Sequence, residues 1–102
     1  MAAYIISEVE MLDGELGSRY RSLAAGSIAA HGGRYVVRGA LPDALEGDWP
    51  SASRLVVVEF PSMEVARRWY ASAEYAEALA LSRKGLRRRL ILCEALPPDP
   101  SE

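Results

Sequence analysis

The stretch over residues 54–60, Arg-Leu-Val-Val-Val-Glu-Phe, limits the fold of this chain more than any other. Three adjacent β-branched valines favour a strand inside a sheet. Because successive side chains of a strand point to opposite faces, Val56 and Val58 lie on one face and Leu55 and Val57 on the other. Both faces of the predicted sheet are therefore apolar, and both have to be covered by protein.

Three further strands and three helices are predicted from hydrophobic periodicity and capping residues. In chain order the predicted elements are a strand over 3–11, a helix that follows Asp13 and stops at Gly32-Gly33, a strand over 34–39, the strand over 54–60, a helix capped by Ser62, a short helix capped by Ser72, and a strand over 88–96. This order predicts an α+β fold, a ferredoxin-like βαββαβ sandwich with one antiparallel four-stranded sheet and both long helices on one face.

The second face of this sheet has to be covered from outside the chain, because a domain of 102 residues has no further layer to supply. An apolar face of this kind is typical of a subunit interface. We therefore predict a homodimer that packs through the bare face of the sheet.

Length and composition fit a single domain over residues 1–96, followed by a Pro-rich tail over 97–102. The 12 basic and 14 acidic residues give a net charge of −2, which argues against nucleic acid or an anionic membrane as a partner. The single cysteine, Cys93, rules out a disulfide scaffold, and we identify neither a membrane-length apolar run nor a signal peptide. These features predict a cytoplasmic protein.

Metal and cofactor motifs are missing from the sequence. It has no phosphate-binding loop, no Gly-rich dinucleotide fingerprint and no paired Cys or His at ligand spacing. We therefore expect neither a bound metal nor a cofactor.

Five basic residues fall within seven positions: Arg83, Lys84, Arg87, Arg88 and Arg89. One interpretation is a phosphate-binding patch. The other is structural, with the first two at a helix end, where cations favour the helix dipole, and the three others flanking the last strand. The structural interpretation is favoured for so short a run.

His31 and Glu59 are the candidate catalytic residues. His31 is the only histidine and ends the first helix. It either packs against the next strand or acts as a general base, because a free imidazole titrates near neutral pH. Glu59 interrupts an apolar strand, as Arg38 does in the second strand, and such charges are costly unless they are paired.

Two interpretations of Arg38 and Glu59 are open: a structural bridge at the end of the sheet, or a polar floor in an apolar cleft. For Arg38 we favour the cleft, because Gly39 and the long loop over 40–53 follow it directly.

Aromatic side chains supply candidate walls for such a cleft, since they combine large apolar surfaces with polar tips. Part of this set also has to form ordinary core. The candidate ligand-binding residues are Arg38, Trp49, Trp69, Tyr70, Ser72 and Tyr75.

Four blocks of the sequence, over residues 28–39, 45–49, 54–62 and 69–75, resemble the family known as domain of unknown function 1330. They read Ile-Ala-Ala-His-Gly-Gly-Arg-Tyr-Val-Val-Arg-Gly, Leu-Glu-Gly-Asp-Trp, Arg-Leu-Val-Val-Val-Glu-Phe-Pro-Ser and Trp-Tyr-Ala-Ser-Ala-Glu-Tyr. The resemblance implies a dimeric α+β barrel of ferredoxin-like subunits, and no established reaction. The resemblance also implies relatives of the same fold among cofactor-free monooxygenases, isomerases, haem-degrading proteins and stress-response barrels.

Together these observations predict a small homodimeric barrel that binds a small anionic or aromatic metabolite in a cleft between the sheet and the helices. Arg38 would receive the anionic group, and His31 or Glu59 would move a proton in a cofactor-free oxygenase or isomerase. The alternative is a non-catalytic, stress-associated binding or structural dimer, in which Arg38 and Glu59 only hold strands together.

Overall fold

The computed structural model describes residues 1–97, which form four strands and three helices. They are β1 (Ala3–Met11), α1 (Gly14–Ala30), β2 (Arg34–Ala40), β3 (Ser53–Phe60), α2 (Met63–Tyr70), α3 (Ala73–Gly85) and β4 (Leu86–Glu94). Of the predicted tail, Pro97 belongs to no helix or strand, and 98–102 lie outside the described residues.

The four strands form one antiparallel sheet in the order β2-β3-β1-β4. All three helices contribute to a core on one face of this sheet, where Ile5, Val58 and Phe60 point. This arrangement is the predicted ferredoxin-like βαββαβ sandwich. No helix within 1–97 is long and apolar enough to cross a membrane.

The predicted capping residues begin the helices. Asp13 Oδ1 accepts hydrogen bonds from the backbone N–H groups of Glu15 and Leu16, both at 3.0 Å. Ser62 and Ser72 begin α2 and α3 in the same way. Beyond α1, Gly32 adopts a φ of 73°, a conformation that other residues rarely adopt.

The last strand begins at Leu86, two residues earlier than predicted, and ends at Glu94. It begins early because α3 runs directly into it at Gly85. The carbonyl oxygen of Gly85 accepts hydrogen bonds from the N–H groups of Leu12 and Asp13. A Cβ atom at position 85 would lie 2.7 Å from Cβ of Leu16, so only glycine fits this junction.

Trp69, Tyr75 and Phe60 are the largest fully buried side chains. The ring centroid of Trp69 lies 4.2 Å from that of Tyr75 and 5.2 Å from that of Phe60. Trp69 also donates its indole N–H to Ser27 Oγ at 2.9 Å, which joins α2 to α1. This aromatic cluster therefore fixes the helices over the sheet.

The other face of the sheet, which we call the bare face, carries an apolar row across all four strands. The pairing registers place Val37, Val57, Ile6 and Ile91 side by side in this row. Arginine–glutamate pairs lie on both sides of it: Arg34–Glu59, Arg89–Glu8 and Arg87–Glu10. Both faces of the sheet are thus apolar, as the alternation in the sequence predicts.

Candidate functional site

A cavity of about 700 Å³ lies between the helix-bearing face of the sheet and α1. We call it the Arg38 cavity. Its walls come from all four strands, from α1 and from Trp69 of α2. The volume is within the range of small-molecule binding sites in proteins.

Four arginines line the Arg38 cavity: Arg21, Arg38, Arg54 and Arg88. The sheet registers explain why three of them converge. Arg54 and Arg88 are the two cross-strand neighbours of Val9, and Arg38 pairs with Val56 on the same face. Among the residues that the structure describes, no Asp or Glu lines this cavity. The cavity therefore carries positive charge without a matching carboxylate.

Arg38 is an exposed residue of the cavity wall, and its guanidinium carbon lies 4.3 Å from the ring centroid of Tyr35. This contact between a cation and an aromatic face orients the arginine without neutralising it. Burial raises the pKa of the Tyr35 hydroxyl, and the charge of Arg38 opposes that rise. The tyrosine is therefore neutral at physiological pH.

Arg88 is half-buried and is surrounded by hydroxyl groups. Its Nη1 donates to Tyr20 Oη at 2.7 Å, and its Nη2 donates to Tyr75 Oη at 2.8 Å and to Ser82 Oγ at 3.1 Å. Tyr20 Oη and Tyr75 Oη are themselves 2.8 Å apart. We call Arg88, Tyr20 and Tyr75 the Arg88 cluster, in which neutral oxygens take the place of a counter-ion.

A second cavity, of about 690 Å³, lies between α2, α3 and β4. We call it the Tyr70 cavity. Arg88 and three apolar side chains, Ile5, Leu86 and Leu90, line both cavities. The Arg88 guanidinium therefore lies at the boundary between them.

The structure brings four of the predicted ligand-binding residues near these cavities. Arg38 and Trp69 line the Arg38 cavity, and Tyr70 lines the Tyr70 cavity. Tyr75 is fully buried and contacts the cavity wall through Tyr20 and Arg88.

The other predicted site residues lie elsewhere. Trp49 folds back on its own loop and donates its indole N–H to the carbonyl oxygen of Ser53 at 2.9 Å. Ser72 begins α3 and donates its hydroxyl to the carbonyl oxygen of Trp69. Neither residue lines the Arg38 cavity or the Tyr70 cavity.

Neither candidate catalytic residue lines these two cavities. His31 Nδ1 donates to the carbonyl oxygen of Ser27 at 2.9 Å, at the end of α1. Glu59 is on the bare face, where it accepts from Arg34 Nε at 2.8 Å. Arg38 and Glu59 therefore point to opposite faces of the sheet and form no bridge with each other. The catalytic roles of His31 and Glu59 stay predictions.

Sequence reasoning missed Tyr20, Arg21, Arg54 and Arg88 as cavity residues. A signal for Arg88 is present in the sequence. Leu86, Arg88, Leu90 and Leu92 occupy every second position of the strand, so their side chains share one face. Tyr20 recurs with Leu16, Leu23 and Ile28 at helical spacing, which predicts a place on the apolar stripe of α1 and gives no role to its hydroxyl. Within residues 1–97 no group of three or more His, Cys, Asp and Glu side chains could hold a metal ion.

The model of the family described as "Domain of unknown function (DUF1330)" matches residues 2–96. The chain belongs to this family, which confirms the resemblance found in the sequence. The search of curated proteins found no match.

Solved structures of the same fold come from several bacteria. A protein of unknown function from Rhodopseudomonas palustris is similar with a TM-score of 0.77 and 19% identity, over 95% of this chain and 84% of that one. The cofactor-independent oxygenase SnoaB from Streptomyces nogalater has a TM-score of 0.60 and 14% identity, over 97% of each chain. A dimeric ferredoxin-like protein of unknown function from Thermobifida fusca has a TM-score of 0.64 and 14% identity, over 93% and 92% of the two chains. At these identities the similarity establishes the fold alone.

Proposed function

We propose that this protein binds a small organic anion with an aromatic or otherwise apolar body in the Arg38 cavity. The observation that carries the proposal is the set of four arginines in a cavity of about 700 Å³ that, within 1–97, has no carboxylate on its walls. Aliphatic side chains of the sheet and the ring of Trp69 supply apolar surface for the body of the ligand.

A carboxylate or other oxyanion is the group that fits these arginines. The guanidinium group presents a planar fork of N–H donors that matches a carboxylate in two parallel hydrogen bonds. Arg38 is the arginine that we propose meets the anion first, because it is exposed and its guanidinium is held against the ring of Tyr35.

We also propose that two copies of the chain associate through their bare faces. The row of Val37, Val57, Ile6 and Ile91 supplies a continuous apolar strip, and Ile91 is 55% exposed in the single chain. The arginine–glutamate pairs on both sides of the strip would form a polar rim. The protein from Thermobifida fusca with the same fold is described as dimeric.

Cofactor-independent oxygenation is the enzymatic form of this proposal, and binding without catalysis by a stress-associated or structural dimer is the alternative. The oxygenase SnoaB, which shares the fold over 97% of both chains, favours testing oxygenation first. If a molecule that co-purifies with the protein disappears while dissolved O₂ is consumed, this result would support the enzyme. A bound molecule that is retained unchanged in air would support the alternative.

The variant Arg38→Met tests the binding site. Benzoate serves as the anionic probe and benzamide as its neutral counterpart, with affinity measured by isothermal titration calorimetry. We expect Arg38→Met to weaken benzoate binding about tenfold, because it removes one of the four positive charges from the cavity, and a charge near a protein surface contributes roughly 1–4 kcal/mol. The free energy of unfolding should change by no more than about 1 kcal/mol, because Arg38 is exposed and pairs with no carboxylate within residues 1–97.

Arg34→Met is the matched control, because Arg34 is an exposed arginine of the same strand that points to the bare face. It should bind benzoate as the wild-type protein does. Equal losses of affinity in the two variants, or benzamide binding as tightly as benzoate, would contradict the proposal.

A further inference from the structure

The hydrogen bonds of the Arg88 cluster have a fixed direction, because Arg88 can only donate. Tyr20 Oη and Tyr75 Oη each accept one hydrogen bond from it, at 2.7 and 2.8 Å. The third contact, at 2.8 Å, joins the two hydroxyls, and either could be its donor on distance alone. Burial resolves this ambiguity.

Tyr75 is fully buried, and its hydroxyl oxygen contacts only Arg88 and Tyr20 among the hydrogen-bonding groups of residues 1–97. A buried hydroxyl proton without an acceptor costs roughly 1–3 kcal/mol. Since Arg88 accepts nothing, the Tyr75 proton has one available acceptor, the oxygen of Tyr20. Burial also raises the pKa of Tyr75 well above its usual range, so this proton is retained.

Tyr20 therefore accepts two hydrogen bonds, one from Tyr75 and one from Arg88. Its own proton finds no acceptor among the protein groups that the structure describes. Tyr20 is half-buried and lines the Arg38 cavity, so this proton is available to a molecule inside the cavity. Two incoming hydrogen bonds, one of them from a cation, polarise the O–H group and strengthen it as a donor.

Two N–H donors of Arg88 have no hydrogen-bond partner among residues 1–97. A guanidinium group has five N–H bonds, and three of them meet the oxygens of Tyr20, Tyr75 and Ser82. The remaining N–H bonds belong to Nε and Nη1. They accompany a positive charge that, within residues 1–97, forms no salt bridge.

We propose that Tyr20 and Arg88 form a receptor for an ionised oxygen of the ligand, with the Tyr20 hydroxyl as the neutral donor and Arg88 as the cationic one. The proposal rests on the proposed function and deepens it, because it places the ligand's oxyanion beside Arg88, at the boundary between the Arg38 cavity and the Tyr70 cavity. Arg38 then favours a single carboxylate, such as that of benzoate, through its positive charge, and it binds a second anionic group where the ligand has one. The class of ligand is an aromatic carboxylate or phenolate.

Tyr20→Phe tests this receptor, with benzoate as the probe and calorimetric affinity as the measurement. The variant removes one hydroxyl and keeps the ring. We expect benzoate to bind about tenfold more weakly or worse, as for the loss of a hydrogen bond to a charged group. Benzamide should lose much less, because its carbonyl carries no full charge. The thermal midpoint of each variant shows that the affinities refer to folded protein.

Tyr75→Phe is the informative comparison, because it removes the other hydroxyl of the same cluster. It leaves the Tyr20 proton in place, so benzoate affinity should fall by about threefold at most, through weaker polarisation. Tyr4→Phe, on the bare face, should leave the affinity unchanged. Because Tyr20→Phe also leaves the buried Tyr75 proton without its acceptor, a cluster that served only as a structural cross-link would weaken benzoate and benzamide equally in this variant.

The outcomes separate this receptor from the site as a whole. If Tyr20→Phe binds benzoate as tightly as the wild-type protein does, the receptor is wrong and the proposed function still holds. The same conclusion follows if Tyr20→Phe and Tyr75→Phe lose equal affinity for benzoate. Failure of the wild-type protein to bind benzoate overturns the proposed function and the receptor together.

Discussion

Replacement of Trp69 by alanine is expected to lower the free energy of unfolding by about 3–5 kcal/mol, the usual cost of removing a large buried aromatic ring. Trp69 is 1% exposed and contacts the rings of Phe60 and Tyr75. The variant also loses the hydrogen bond to Ser27. Domains of this size are stabilised by roughly 5–15 kcal/mol, so a loss of this magnitude should greatly lower the urea concentration at which half of the protein is unfolded.

Two substitutions serve as controls for Trp69→Ala. Trp69→Phe retains an aromatic ring and should lose roughly half as much stability or less. Trp49→Phe changes the other tryptophan, whose indole only closes a loop, and should cost about 1 kcal/mol. If Trp69→Ala unfolded at the same urea concentration as Trp49→Phe, the aromatic core would have been assigned wrongly.

The variant Val57→Asp is expected to convert a dimer into a monomer. Val57 lies in the second strand of the apolar row, between Val37 and Ile6. A carboxylate buried there would face the partner's apolar row without a counter-ion, which costs several kcal/mol. Light scattering should give about twice 11.1 kDa for the wild-type protein and about 11.1 kDa for the variant.

Leu45→Asp is the control for the dimer experiment, because Leu45 is 91% exposed in the loop before β3 and lies outside the sheet. It should leave the mass of the dimer unchanged. Circular dichroism checks that Val57→Asp retains its helices and strands. A wild-type protein that is monomeric at micromolar concentration would contradict the proposed association through the bare face.

Alternation along β3 predicted the fold well, because successive residues of a regular strand point to opposite faces. Leu55 and Val57 point to the bare face and Val56 and Val58 to the core, as their order in the sequence requires. In β2 two β-bulges interrupt the alternation, so Arg34 and Arg38 lie on opposite faces. The capping serines and Asp13 likewise identified where helices begin, since a cap acts through neighbouring residues alone.

The candidate site was predicted less completely, because it depends on pairing between strands that are distant in sequence. Arg38 was assigned to a cleft from its own neighbourhood, and the structure places it at the cavity. Arg54 and Arg88 lie close together because both pair with Val9, one from each neighbouring strand. These pairing registers cannot be predicted from any local stretch of the sequence. The same registers separate Glu59 from Arg38, two residues that sequence reasoning considered together.

Tyr20 illustrates a different limit of sequence reasoning. The helical spacing of Tyr20 predicts that its ring lies on the core side of α1, and the ring does pack against the core. The role of its hydroxyl depends on Arg88, 68 residues later in the chain, and on the complete burial of Tyr75. Hydrogen-bond direction inside a cluster is a property of the assembled core, so it becomes accessible only once the structure is known.

The central claim is that a small organic anion occupies the Arg38 cavity, and nuclear magnetic resonance of the wild-type protein tests it most directly. Isotope-labelled protein is titrated with benzoate and, separately, with benzamide at millimolar concentrations. We predict saturable shifts with benzoate for residues around the cavity, Tyr20, Tyr35, Arg38 and Arg88 among them, and much weaker shifts with benzamide. Equal responses to the two molecules, shifts confined to the bare face, or no saturable response to benzoate would contradict the account.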